Sequence, residues 1–261
     1  MRRSVKLIVN ADDGNLTPGV TKGVLAAHDT GILTSTTIFA NLSLADRLKE
    51  DFLRRHKLGV GIHLNITLGS PAAPKADVHS LLADDRFGKH DEEFFKRIDR
   101  RALYTEYKAQ IEKFEEWFGK LPTHIDTHHH LHRFQTVFDV FAELAEEFGI
   151  PFRLSECVNV SVRERFERRG IILTDHLMPD IDPFPHFYKA RLAEVLSKLP
   201  DGVVELMTHP AVIDEELKRI SSFVDPRADE REALSDPSLH SLLAEKNIEL
   251  THYGCLNSHV S

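Results

Sequence analysis

Two aspartates stand side by side where an apolar run ends, in Val5-Lys6-Leu7-Ile8-Val9-Asn10-Ala11-Asp12-Asp13. Adjacent carboxylates repel, so keeping both ionised takes a compensating cation or a proton. The run has the composition of a buried strand, and the C-terminal end of such a strand is where parallel α/β folds bind ligands. A strand followed by an acidic turn accounts for the same residues. Gly14 and Asn15 follow, and both tolerate left-handed backbone.

The second group is Thr123-His124-Ile125-Asp126-Thr127-His128-His129-His130-Leu131-His132. Strand alternation puts His124, Asp126 and His128 on one side, with His130 too if the strand continues. A helical turn after Thr127 would instead set His128 and His132 four apart on a shared face. Neutral imidazole is the commonest metal ligand. A solvated His-rich loop is the plain alternative, and the apolar approach through Leu121 and Ile125 speaks against it.

Three single residues complete the set. In Gly61-Ile62-His63-Leu64-Asn65, alternation groups Gly61, His63 and Asn65 on one face, with Ile62 and Leu64 on the other. His63 then either points into a barrel mouth or serves as a structural polar residue. In Glu205-Leu206-Met207-Thr208-His209-Pro210, the proline biases His209 towards extended geometry at a strand end. Arg153 lies in the short run Phe152-Arg153-Leu154, where it can pair with an acid or face solvent. One Asp and two His from different strand ends make three ligands with open positions, the form of a catalytic metal site. A closed structural site would favour cysteine, and neither Cys157 nor Cys255 belongs to a C-x-x-C pair.

Positioning these residues takes alternating strands and helices. Strands are predicted at Val5 to Asn10, Leu33 to Ala40, Leu58 to Ile66, Thr123 to Thr127, Phe152 to Leu154, Ile171 to Met178 and Val203 to Met207, with a last short one at Ile248 to His252. Thr17-Pro18 opens the first helix as N-cap and first helical residue, and Gly31 closes it. Further helices are predicted at Ser43 to Arg55, at Asp91 to Phe118 as one helix or two in series, and at Val137 to Phe148, Phe187 to Leu199 and Ser238 to Lys246. Residues 67–90 read as a long turn-rich loop, 155–170 as charged and irregular, and the stretch from Pro210 through Pro226 as loop. The alternation predicts an α/β fold, a (β/α) barrel of eight strands or fewer, formed as one domain over residues 1–261. An open doubly wound sheet is the alternative. No glycine-rich dinucleotide or phosphate loop follows the first strand.

The chain has 261 residues, enough for a sizeable core without disulfides. Its formal charge of −8 argues against a nucleic-acid or anionic-membrane partner, which would want a basic face. Two cysteines make no disulfide framework, which suits a reducing compartment, and no leader or membrane-spanning segment is visible, so the reading is cytoplasmic.

Together these pieces resemble the YdjC-like family of carbohydrate deacetylases, which includes chito-oligosaccharide deacetylases. The matching segments are Val9-Asn10-Ala11-Asp12-Asp13, Thr34-Ser35-Thr36-Thr37, Gly61-Ile62-His63-Leu64, Pro122 through His132, and Met207-Thr208-His209-Pro210-Ala211, in the family's order and across nearly the whole chain. The resemblance implies a (β/α) barrel of the glycoside hydrolase/deacetylase type and a hydrolase that removes an N-acetyl group from an acetylated amino sugar. It implies a divalent metal on Asp13, His63 and His128, Mg²⁺ first and Zn²⁺ as the alternative. It further implies Asp12 as general base, His209 as general acid, Arg153 as a residue orienting the base, and a homodimer as the assembly. One departure stands out: the family has an aromatic residue and then glycine after the aspartate pair, where this chain has Gly14-Asn15. Two rival readings are a metal-dependent phosphoesterase on a barrel, and a non-catalytic sugar- or metal-binding protein.

Overall fold

Strand β1, Val5–Ala11, is buried along its length except at the half-buried Lys6. A strand buried on both faces needs neighbours on both edges. In this computed structural model, which describes residues 5–88, 90–178 and 187–256, β1 has three. Strand β6 (Gly202–Thr208) runs parallel along the whole of one edge, from Val5 opposite Gly202 to Ala11 opposite Thr208. The other edge is shared. Strand β7 (Ile248–Thr251) pairs with Val5 to Ile8, and β2 (Ser35–Ile38) with Asn10 and Ala11. Strand β5, His176–Met178, adds to β6. Elsewhere in the chain, β3 (Gly59–Leu64) pairs with β4 (Ile125–Thr127). Every one of these pairings is parallel, with helices carrying the chain between strands, as the sequence alternation predicts.

The contacts divide the described residues into two compact units. One comprises 5–38, 54–60, 174–178 and 187–256, and the other 39–53, 61–88 and 90–173.

Local chemistry sets most element boundaries. The Thr17 side chain accepts the Val20 N–H and caps the helix Pro18–Thr30, which Gly31 ends. The stretch after residue 90 is two helices in series, Glu92–Lys96 and Arg100–Phe118, each capped by an aspartate, Asp91 and Asp99. Some elements differ from the sequence expectation. Residues Phe152 to Leu154 form one isolated bridge to Ile125 rather than a strand. The segment read as irregular holds the helix Val160–Glu167, capped by Asn159; it buries Phe166 alone, so it shows no apolar stripe. The stretch read as loop before Pro226 contains the helix Glu215–Ile220, and a further helix, Asp225–Leu234, carries Pro226 in its first turn. No helix of the described residues is long and apolar enough to cross a membrane.

Candidate active site

In the first unit, the end of β1 is held from both sides by threonines in register with Ala11. Thr36 Oγ1 donates to Ala11 O at 2.7 Å and Thr208 Oγ1 to Asn10 O at 2.9 Å, while the Asp12 N–H donates to Thr208 O at 2.9 Å. The chain then turns sharply. Asp13 has φ 63°, a left-handed conformation uncommon outside glycine, asparagine and aspartate. That turn lies one residue earlier than the tolerant pair Gly14-Asn15 suggests. Gly14 serves close approach instead: a Cβ there would lie 2.6 Å from Thr36 Oγ1, and its N–H donates to Thr37 O at 2.8 Å. On this backbone a side chain at position 14 would also press on the Thr37 carbonyl, 3.0 Å from such a Cβ.

Asp12 and Asp13 are both buried, and each has its own partners. Asn10 Nδ2 donates to Asp12 Oδ1 at 2.9 Å, and Asp12 Oδ2 lies 3.9 Å from His209 Nε2. Asp13 Oδ2 accepts from the Arg227 guanidinium at 2.6 Å. Glu230, one helical turn after Arg227 on Asp225–Leu234, accepts the backbone N–H of His209. Phe223 packs edge-on against the His209 ring, 5.5 Å between centroids.

Burial pushes the Glu230 carboxyl up to about 7, against the N–H bonds it accepts and the Arg227 charge, with the Asp12 charge adding to the rise. Native protein therefore binds a proton there more tightly than the unfolded chain does. The resulting stability is complete below the unfolded value of 4.5 and is lost as pH rises through about 7. Glu230→Gln should remove that slope. Chemical denaturation at pH 5 and pH 8 should show wild type losing on the order of 3 kcal/mol more than the variant over this interval. Equal losses would refute a protonated Glu230.

In the second unit, the β3–β4 register sets His63 beside Asp126. His63 Nδ1 meets Asp126 Oδ1 at 2.5 Å, and Arg153 donates to Asp126 Oδ2 at 3.0 Å, with Arg153 and Asp126 fully buried. An ionised carboxylate only accepts, so it fixes the proton on His63 Nδ1 and leaves the Nε2 lone pair for another partner. That Nε2 faces His128 Nδ1 at 3.3 Å, and Phe39 packs edge-on against both rings. The same register explains Gly61, which lies opposite His124. A Cβ at Gly61 would come within 2.4 Å of that buried ring.

Beyond Thr127 the chain does not enter an α-helical turn. His129 and His130 take φ 58° and 52°, so His128 and His132 do not share a helical face. His132 Nδ1 bonds Thr127 Oγ1 at 2.6 Å and its ring stacks on Phe141. Of the triple, His128 is the residue beside His63.

Three residues here, Asp126, Arg227 and Glu230, are not among the site residues expected from sequence. Asp126 was visible by alternation with His124 and His128. For the other two, the available signal was Asp225-Pro226, a helix start.

A family model described as YdjC-like protein matches residues 6–245. The chain belongs to the YdjC-like family. It is 35% identical over 253 residues to a carbohydrate deacetylase of Geobacillus stearothermophilus, covering 94% of this chain and 96% of that one. It is 32% identical over 257 residues to a chitooligosaccharide deacetylase of Proteus mirabilis, covering 95% and 97%. Among solved structures, an Enterococcus faecalis protein provisionally described as a cellobiose-phosphate cleavage protein superposes with TM-score 0.81 at 28% identity, over 97% of this chain and 99% of that one. A family 4 acetyl xylan esterase from Clostridium thermocellum, solved with cobalt, gives TM-score 0.53 at 12% identity, over 98% and 91%. The fold is thus the (β/α) barrel of the glycoside hydrolase/deacetylase type rather than an open doubly wound sheet, with seven strands among the described residues. The YdjC-like family is one of carbohydrate deacetylases, which are hydrolases.

Proposed function

We propose that this chain hydrolyses the N-acetyl group of an acetylated amino sugar such as a chito-oligosaccharide, releasing acetate and a free amine. The observation that carries the reading is the buried Asp12 carboxylate facing His209 at 3.9 Å, an acid–base pair at the ends of the neighbouring strands β1 and β6. Likeness to a chitooligosaccharide deacetylase across the chain supports the substrate class.

Asp13, His63 and His128 are the proposed cation ligands. One carboxylate oxygen and two imidazole nitrogens are a donor set able to hold a metal ion. Two imidazoles fit Zn²⁺ chemically, and Mg²⁺ follows from the family resemblance. When bound, the cation would supply an acidified water and charge stabilisation at the carbonyl oxygen. The protein's own groups do the rest. Asp12, oriented by Asn10, takes the proton from the attacking water. His209, protonated, gives a proton to the amine nitrogen as the C–N bond breaks, because an amine leaves poorly as an anion. Arg153, the proposed orienter of the base, also donates to Asp126, which in turn fixes His63.

Acetate release from diacetylchitobiose tests the reading, with and without a chelator and with Mg²⁺ or Zn²⁺ added back. The expected result is release that the chelator abolishes and a divalent ion restores. Hydrolysis of a chromogenic phosphate ester with no acetate release would replace it with a phosphoesterase.

A further inference from the structure

Arg227 stands 214 positions from Asp13 in sequence, yet its guanidinium meets the Asp13 carboxylate at 2.6 Å with both side chains buried. Three features show how firmly it is held. Its Nε donates to Phe223 O at 2.7 Å, and the guanidinium carbon lies 5.6 Å from the centre of the Phe223 ring. Its backbone carbonyl accepts the Ala211 N–H at 3.0 Å, tying the start of helix Asp225–Leu234 to the segment just after His209. The Asp13 backbone is fixed as well, since its carbonyl accepts the Leu16 N–H at 2.8 Å across the left-handed turn.

The ion pair is not the two-pronged kind that arginine favours when its task is simply to neutralise a carboxylate. Nη2 makes the contact to Oδ2, while Nε is taken by Phe223 O. Arg227 Nη1 is buried without a hydrogen-bond partner among the described residues. Leaving a buried donor unmet costs about 1–3 kcal/mol, a cost a purely stabilising pair would avoid by turning to a bidentate geometry. The arrangement instead anchors the carboxylate at one oxygen.

We propose that Arg227 is a positioning residue for Asp13, clamping Oδ2 so that Oδ1 is presented to the divalent cation. This rests on the reading of Asp13 as a cation ligand. Groups that orient a ligand carboxylate typically contribute about 10–100-fold in metal affinity. A guanidinium is suited to the task because its fork reaches Phe223 O and Asp13 together; a lysine ammonium keeps the charge and cannot span both.

Titration calorimetry of Zn²⁺ and Mg²⁺ into metal-stripped wild type, Arg227→Lys and Arg227→Gln separates geometry from charge. Positioning predicts that both variants bind the cation about 10–100-fold more weakly, with kcat reduced more than KM in the metal-loaded enzyme. Charge alone predicts the opposite for Arg227→Gln, because removing a positive neighbour strengthens cation binding. Tighter or unchanged binding in Arg227→Gln, or wild-type affinity in Arg227→Lys, overturns the proposal. If Arg227→Gln melts below the assay temperature, Arg227→Lys carries the test, with its fold checked by circular dichroism. Wild type that takes up neither cation removes the metal reading and this proposal with it. Wild-type uptake with unaltered variants removes this proposal alone.

Discussion

Asp12→Asn should keep its cation and lose about 10²–10⁴-fold in turnover, the usual contribution of a general base. The substitution changes almost no volume. The amide oxygen still accepts from Asn10 Nδ2, which holds Asp12 Oδ1 at 2.9 Å, and the backbone N–H still donates to Thr208 O. What disappears is the group that takes a proton from water. Activity assays alone would not distinguish this from loss of the metal, so the variant's metal content should be measured beside kcat. Near-wild-type turnover would end the assignment of Asp12 as base. Turnover and metal lost together would move Asp12 into the ligand set.

Asp126→Asn is the substitution expected to damage both stability and cation binding. The carboxylate lies between two groups it serves differently: His63, whose proton position it fixes, and Arg153, whose buried charge it balances at 3.0 Å. Neutralising one partner of a buried pair costs about 3–5 kcal/mol, mostly through the charge left behind in a dry site. The amide is also indifferent to the imidazole tautomer, since it can donate as well as accept. His63 would then present Nε2 as an acceptor only part of the time, and cation affinity should fall about 10–100-fold. Urea denaturation reads the first effect and calorimetry the second. Adding Arg153→Met should recover much of the lost stability, because the stranded charge goes with it, without recovering affinity. A single variant that loses under 1 kcal/mol would show that Arg153 is balanced chiefly by other groups.

Recognition of the site from residues alone went far where the deciding interactions are local. Strand β1 ends where Asp12 and Asp13 stand, and Thr17-Pro18 starts the first helix with the cap its residue types announce. His63 and His128 come together although 65 positions apart, because alternation and parallel pairing place them at neighbouring strand ends. Polar burial leaves no such local mark. Helix Asp225–Leu234 buries Arg227 and Glu230 beside Ala233 and Leu234, so its inward face does not look apolar, and Asp225-Pro226 is the one local sign of a helix. The same holds for Asp126, whose register against His63 no periodicity specifies.

What the chain determined by itself is the inventory and its placement at strand ends: two aspartates, the histidines at 63, 128 and 209, and the parallel α/β frame that carries them. Strand alternation, capping and turn preferences act over a few residues, so their results are written in short stretches of sequence. The tertiary structure alone decided the second layer, pairing Asp13 with Arg227, His209 with Glu230, and His63 with Asp126 and Arg153. A buried charge must find its counter-charge wherever packing brings one within about 3 Å. Packing is set by the whole fold, and so these partners cannot be read from spacing along the chain.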